Sequence, residues 1–172
     1  TSRPYSSESP WPETYTGSLS VDFSKIRVVM GDFNARFGQG LALWSGAFMT
    51  SLNTPDAFMK KPSGISGTWS FTGSSALTGV VAETTAGSLK ITAMMAVPGV
   101  KDMKRHPEKV TLLPAANLTY LIRYGHASMT YAGSKVSIDE AFCIRGVNLF
   151  SEAAYDFAER RMAAVCGTQF NA

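Results

Sequence analysis

Apolar and polar residues alternate along much of the chain, as in a β-strand whose two faces meet different surroundings. From Thr14 to Phe23 the odd-numbered positions from 15 onward are apolar or glycine, and the even-numbered ones are polar. The same period of two returns in later segments, which short polar or glycine-containing turns separate. These later segments are residues 26–30, 80–85, 89–95, 118–124 and 136–145. Strands joined so tightly run antiparallel, so the sequence predicts an all-β antiparallel meander of roughly eight or nine strands.

Residues 151–167 fit two patterns. Strong helix formers, with Ser151 at an N-cap position and Gly167 at a C-cap position, favour a helix. The period of two that begins at Val147 instead favours a hairpin turning at Ala158-Glu159. We choose the hairpin, because the neighbouring segments share its period.

The two cysteines, Cys143 and Cys166, are too few for a disulfide-rich scaffold or a four-cysteine metal site. In the predicted hairpin Cys166 lies opposite a residue near Ser151, which is too far from Cys143 for a disulfide bond. We therefore interpret both cysteines as small apolar residues.

Three segments interrupt the alternation. Residues 1–13 are rich in proline and serine and are interpreted as a loop or leader segment, whereas residues 14–172 form the predicted β-barrel fragment. Within that fragment, residues 31–46 are rich in glycine, and residues 50–76 have the composition of a long loop. Such a long loop is uncommon in a compact soluble domain but ordinary on one side of an outer-membrane barrel. Because nothing in the sequence marks closure of the sheet, we expect a piece of a larger transmembrane barrel.

The composition points to a membrane rather than to nucleic acid. Charged residues make up 17% of the chain, against about 25% in typical soluble domains. A net charge of +3 without a basic run gives no indication of a nucleic-acid partner. No stretch reaches the roughly 18 apolar residues of a membrane-spanning helix, but about ten tilted strand residues suffice to cross. We therefore predict the bacterial outer membrane as the location and the lipid bilayer as the principal partner.

In such a barrel, polar side chains belong inside and aromatic side chains belong near both ends of the strands. The polar residues predicted for the interior are Lys90, Arg123, Asn148, Glu152 and Asp156. The aromatic residues near predicted strand ends are Tyr120, Tyr124, Tyr131, Tyr155 and Phe157. In a membrane barrel these aromatics form girdles, whereas in a soluble sheet they belong to the core.

One short motif suggests an enzyme. Gly31-Asp32-Phe33-Asn34 at the end of a strand resembles the exonuclease–endonuclease–phosphatase family, in which that Asp and Asn orient water and phosphate beside a divalent metal. The chemistry also needs further carboxylates and a general base, which that family carries in a Ser-Asp-His segment. Neither His106 nor His126 lies in such a segment. A metal-dependent phosphodiesterase is therefore an alternative only, and the leading reading has no catalytic residue, metal or cofactor.

A longer motif resembles a different family. Residues 31–41, followed by Trp44-Ser45-Gly46, are similar to a signature of large Bacteroidetes outer-membrane proteins. Weaker similarities to that family are Gly64-Ile65-Ser66, residues 78–82 and residues 146–154. In that family a ComEA-like helix-hairpin-helix segment precedes a long β-barrel, and the signature lies where the barrel begins. The resemblance implies a barrel, with other envelope proteins as further partners. The helix-hairpin-helix segment is not in this sequence, so no nucleic-acid partner is predicted from this segment, and whether a longer parent protein binds DNA stays open.

The signature also contains the residues with the clearest candidate function. Gly38 and Gly40 permit sharp bends, so the segment from Phe37 to Trp44 can bulge or fold inward as a plug. We expect Asp32 and Arg36 to pair in the interior. The candidate residues of this element are Asp32, Arg36, Phe37, Gly38, Gln39, Gly40 and Trp44.

The sequence thus predicts a non-enzymatic outer-membrane β-barrel that serves passage, anchoring or surface assembly. The phosphodiesterase is one alternative, and a soluble β-sandwich binding module is the other.

Overall fold

The computed structural model describes residues 2–3, 14–46, 59–68, 76–98 and 111–170. All the regular structure in these ranges is β-strand. The strands are β1 Ser2–Arg3, β2 Thr14–Tyr15, β3 Ser18–Asp22, β4 Ile26–Arg36, β5 Gly64–Gly67, β6 Leu77–Ala86, β7 Leu89–Pro98, β8 Leu113–Ile122, β9 Gly125–Ala132, β10 Lys135–Ile144, β11 Val147–Asp156 and β12 Arg161–Phe170. No helix in the described ranges is long and apolar enough to cross a membrane.

Ten of the strands form one antiparallel sheet. The strands from β6 to β12 follow one another in sequence order, β4 and β3 continue the sheet beyond β6, and β5 pairs with the far end of β4. The remaining two strands, β1 and β2, pair with each other. Among the described strands β12 and β3 are the two edges, and they do not pair, so the sheet is open. The prediction of an all-β antiparallel meander is confirmed, and an open sheet agrees with a barrel fragment.

The connections at the two ends of the sheet differ in length. At one end, which we call the turn end, β3–β4, β6–β7, β8–β9 and β10–β11 are each joined by a tight turn. Arg145 and Gly146 both have positive φ, as a two-residue hairpin turn requires. At the other end, the loop end, the chain takes longer paths from β4 to β6 and from β7 to β8. Two short connections, β9–β10 and β11–β12, also lie at the loop end.

The predicted strand over residues 14–23 is interrupted in the structure, because Gly17 leaves the regular pairing to bond with Asp32. The Gly17 amide donates to Asp32 Oδ2 at 2.9 Å, and the Asp32 amide donates to the Gly17 carbonyl at 2.7 Å. The predicted loop over residues 50–76 contains the four-residue strand β5, and residues 50–58 and 69–75 of that loop lie outside the described residues.

The segment predicted as a loop or leader, residues 1–13, contributes Ser2 and Arg3 to a short pairing with Thr14 and Tyr15. Residues 4–13 lie outside the described residues.

The contested segment at residues 151–167 is a hairpin, as predicted. The strands β11 and β12 pair over their full length, with Ser151 opposite Cys166. Cys143 and Cys166 are both free and exposed.

The two faces of the sheet have opposite character. One face, here called the inner face, carries the buried side chains, and alternate residues on the outer face are exposed. The apolar core lies on the inner face around β4, and its buried members are Val29, Phe33, Ala35, Phe37, Leu43, Ile65, Leu77, Val81, Met94, Ala96, Ala115 and Ala132. Gly38, which follows β4, lies within contact distance of side chains on β10 and β11, although the strands from β6 to β9 separate β4 from β10. The sheet therefore curls around its inner face.

A glycine in β4 is required for this geometry. Gly31 has φ +97°, and a Cβ there would lie 2.3 Å from the Gly17 carbonyl oxygen. We expect Gly31→Ala to lower the free energy of unfolding by about 1–3 kcal/mol, since both the backbone conformation and the contact become unfavourable. Denaturant unfolding of the chain folded in detergent measures the change. Gly87→Ala is the matched control, because Gly87 also has positive φ (+61°) but open space around it. Equal losses for the two variants would contradict the close contact with Gly17.

Candidate functional site: a plug segment on the inner face

The segment that follows β4 folds back on itself. Trp44 forms a bridge with Arg36, so the chain reverses direction through residues 37–43, which we call the plug segment. The Ser45 amide donates to the Ala35 carbonyl at 2.8 Å, and the Ala35 amide donates to Ser45 Oγ at 2.6 Å. These bonds hold the base of the plug segment against the end of β4.

Two glycines with positive φ shape the plug segment. Gly38 has φ +54°, and a Cβ at that position would come within 2.9 Å of the Glu152 carboxylate and 3.0 Å of Asp139 Oδ1. Gly40 has φ +84°, and a Cβ there would lie 2.9 Å from the Cβ of Trp44. Both positions therefore need glycine for the backbone conformation and for the close approach.

A single carboxylate attaches the plug segment to the far side of the curled sheet. Glu152 on β11 is 2% exposed. Its Oε2 accepts hydrogen bonds from the amides of Gln39 at 2.6 Å and Leu41 at 3.2 Å. Bonds to an ionised acceptor are stronger than neutral ones, and these two join parts of the chain more than 100 residues apart.

The Gln39 side chain makes a second attachment, to the segment that precedes β5. Gln39 Nε2 donates to the Lys60 carbonyl at 3.1 Å, and Gln39 Oε1 accepts from the Lys60 amide at 2.9 Å. The Lys60 ammonium lies 5.1 Å from the centre of the Trp44 ring, within the range of a cation–π contact. With Phe37 and Leu43 buried in the core, the plug segment is held by apolar and polar contacts together.

Around the plug segment the inner face is polar and internally bonded. Glu83 is 7% exposed, and its carboxylate pairs with Lys90 at 2.9 Å and with Arg27 at 3.6 Å. Asp139 accepts from the Ser128 hydroxyl and lies 3.2 Å from His126 Nε2.

Asn117 continues this network across β8 and β9. Its amide nitrogen donates to Thr130 Oγ1 at 2.9 Å, and its side-chain oxygen accepts from Thr119 at 2.7 Å. A cleft of about 210 Å³ beside the plug segment is lined by Phe37, Gly38, Lys90, Asn117, His126 and Ser128, among others. Buried polar groups that bond to one another in this way avoid most of the cost of losing water.

Four of the five predicted interior polar residues lie at inner-face positions. Lys90 pairs with Glu83, and Glu152 holds the plug segment. Asn148 and Asp156 lie on the same face of β11 as Glu152, near the two ends of that strand. The Asp156 carboxylate accepts from Ser134 Oγ and from the amide of Ala158, and thereby shapes the turn into β12.

Arg123 differs from the prediction. It is exposed in the turn between β8 and β9, with its guanidinium 5.2 Å from the centre of the Tyr124 ring. A turn position leaves its long side chain free to reach solvent.

Asp32 also differs from the prediction, because it alternates with Phe33 and points away from the core. Its carboxylate accepts from Gly17 and, at 2.5 Å, from Thr78 Oγ1, which ties β4 to the strands on either side. Arg36 donates to the Ser45 carbonyl at 3.3 Å and lies over the Trp44 ring. Arg36 thus supports the base of the plug segment, whereas Asp32 joins β4 to its neighbours, and the two do not form the expected interior pair. In the described ranges no group of three or more His, Cys, Asp or Glu is placed to hold a metal ion, and His106 lies outside those ranges.

Sequence reasoning missed Glu83, His126 and Asp139 as interior residues. Glu83 and Asp139 each lie beside an exposed apolar residue on their own strand, so the period of two carried the necessary signal. His126, the second residue of β9, lies between half-buried Gly125 and Ala127, and only its contact with Asp139 places it on the inner face.

The outer face is apolar along the strands and aromatic at both ends. The five aromatic residues predicted near strand ends are all exposed, which excludes the alternative that they form a core. Exposed aromatics at the turn end are Phe23, Tyr120, Tyr124 and Phe170, and those at the loop end are Tyr131, Tyr155 and Phe157. Exposed aliphatic residues between them include Val80, Ile91, Met95, Leu118, Met129, Ile138 and Leu149.

Comparison with protein-family models, curated proteins and solved structures finds no match to this chain. The class that the fold and the site define is an open antiparallel sheet with a polar, partly plugged inner face and an apolar outer face.

A substitution at Gly38 tests whether the plug segment packs closely against Glu152 and Asp139. We expect Gly38→Ala to lower the free energy of unfolding by about 1–3 kcal/mol, because the methyl group would displace the carboxylates of Glu152 and Asp139 from their partners. Gly133→Ala is the matched control, since Gly133 also has positive φ (+61°) but meets only the end of the Leu113 side chain. Thermal or denaturant unfolding in detergent gives both values. A loss no larger than that of the control would show that Glu152 does not constrain this position.

Proposed function

We propose that this chain forms part of the wall of an outer-membrane β-barrel, a non-enzymatic protein that serves passage, anchoring or surface assembly. The proposal rests on how side chains are distributed between the two faces of the sheet. The exposed face is apolar, and the buried face holds carboxylates. Soluble proteins seldom expose a continuous apolar surface, whereas a lipid bilayer requires one. A soluble β-sandwich needs a second sheet over this face, and the described residues offer only the two-stranded β1–β2 pairing outside the main sheet.

The dimensions of the sheet support the same proposal. The strands from β6 to β8 and from β10 to β12 each have ten residues. At about 3.3 Å per residue such a strand is roughly 33 Å long, and a tilt of about 40° leaves roughly 25 Å along the membrane normal. That height matches the apolar band of an outer-membrane barrel. The aromatic residues at both ends lie where the rings meet the lipid headgroups.

The unequal connections give an orientation. Outer-membrane barrels have short turns on the periplasmic side and longer loops outside. The turn end of this sheet therefore faces the periplasm, and the loop end, from which the plug segment enters, faces the exterior.

Vesicle binding tests the proposal directly. The chain, refolded from denaturant in the presence of phospholipid vesicles, should float with the vesicles in a density gradient and resist extraction by carbonate. A chain that folds in water, stays monomeric and remains in the soluble fraction would contradict it.

Arginine substitutions at two depths of the outer face separate a membrane wall from a soluble sheet. Ile138, near the middle of β10, is 64% exposed, and Ile144, at its turn end, is 51% exposed. In a bilayer we expect Ile138→Arg to cost about 2–4 kcal/mol and Ile144→Arg about 0–1 kcal/mol, since the penalty for a charge falls from the midplane to the interface. Unfolding from vesicles measures both. If the face meets water, both variants should be within about 0.5 kcal/mol of the original chain.

A further inference from the structure

The plug segment and the inner face share a single ionic attachment. In the described residues, the hydrogen bonds from the plug segment to β10 and β11 both end on Glu152 Oε2. The donors are the amides of Gln39 and Leu41, on either side of Gly40 in its left-handed conformation. Amides arranged in this way form a receptor for an anion, and here the anion is a side chain of the protein itself.

The buried Glu152 carboxylate has few other hydrogen-bond donors. At 2% exposure its carboxylate depends on the two amide donors of the plug segment, because an ionised group without partners or water is costly inside a protein. If the plug segment leaves, water must enter to hydrate the carboxylate. Displacement of the plug segment would also expose Phe37 and Leu43, so the bonds to Glu152 and the apolar contacts both favour the closed arrangement.

The surface beneath the plug segment is suited to hydrophilic solutes. The residues near it are Asp139, Glu152, Ser128 and Asn117, and the cleft beside it also reaches His126 and Lys90. Asp139 and Glu152 both approach Gly38, and the nearest ionisable nitrogen to either carboxylate among the described ion pairs is that of His126. Lys90 of the Arg27–Glu83–Lys90 group lines the same cleft, and Lys60 Nζ lies 3.2 Å from the position of a Cβ on Gly40. At the level of the plug segment the inner face thus carries groups of both signs, a lining that suits hydrophilic solutes.

We propose that residues 37–43 are a gate that Glu152 holds closed, and that displacement of the gate admits small hydrophilic solutes along the inner face. The proposal rests on the proposed function, since a solute path needs a barrel in a membrane. The hydrogen bonds between Glu152 and the plug segment do not depend on the membrane and are measured separately.

Amide hydrogen exchange in detergent tests the hydrogen bonds that hold the plug segment on Glu152. We expect Glu152→Gln and Glu152→Ala to accelerate exchange of the Gln39 and Leu41 amides by about 10- to 100-fold, as expected when bonds to a charged group are lost. Amides of Thr130 and Ser137, in paired strands, report whether the sheet remains folded. Glu140→Gln is the matched control, because Glu140 lies in the adjacent strand on the outer face and accepts only from the exposed Ser151 hydroxyl. Unchanged protection of the two plug amides in both Glu152 variants would overturn the proposal.

The gate is tested by conductance of the intact protein in planar bilayers bathed in potassium chloride. Glu152→Ala should raise the conductance or the open fraction at least about 3-fold, and Glu140→Gln should leave both unchanged. Faster exchange of the plug amides without any change in conductance would overturn the gate and leave the proposed barrel standing. Failure of every variant to enter the bilayer would instead overturn the proposed function, and the gate with it, whatever the exchange rates in detergent show.

Discussion

The carboxylate of Glu152 is the constraint on which the shape of the inner face depends. It is almost fully buried, and the amides that satisfy it belong to a segment that follows β4, on the other side of the curled sheet. A buried charge tolerates little displacement of its donors. The plug segment, the positive φ of Gly38 and Gly40, and the curvature that brings β11 near β4 therefore form one mutually dependent arrangement.

The rest of the structure follows from placing the two faces of a β-strand in opposite surroundings. On the inner face, charged groups are bonded in short-range sets, such as Arg27–Glu83–Lys90 and His126–Asp139, so that burial leaves few ionic groups unpaired. On the outer face most side chains are aliphatic or aromatic and cannot bond in this way, and Glu140 accepts from Ser151. In the proposed barrel that face meets lipid, and the inner face relies on internal pairing.

The regular part of this fold was predictable from the sequence, because a period of two is a local property. This period predicted the strands and the hairpin of β11 and β12, with Cys166 opposite Ser151. The break at Gly17 was not predictable, since it arises from a bond to Asp32 that alternation does not reveal. Gln39 and Glu152 were each singled out, one as part of a glycine-rich signature and one as an interior acid. Their contact was missed, because it depends on how far the whole sheet curls.

The order of strands in the sheet has a consequence for how the chain acquires its structure. From β6 to β12 every strand pairs with its neighbour in sequence, so most contacts close short loops and the contact order of this region is low. Such a region can assemble by adding one hairpin at a time. The seating of Gln39 on Glu152 closes the longest loop described and can form only after β11 is in place. Its formation therefore follows the pairing of the strands from β4 to β11, and requires that their register is correct.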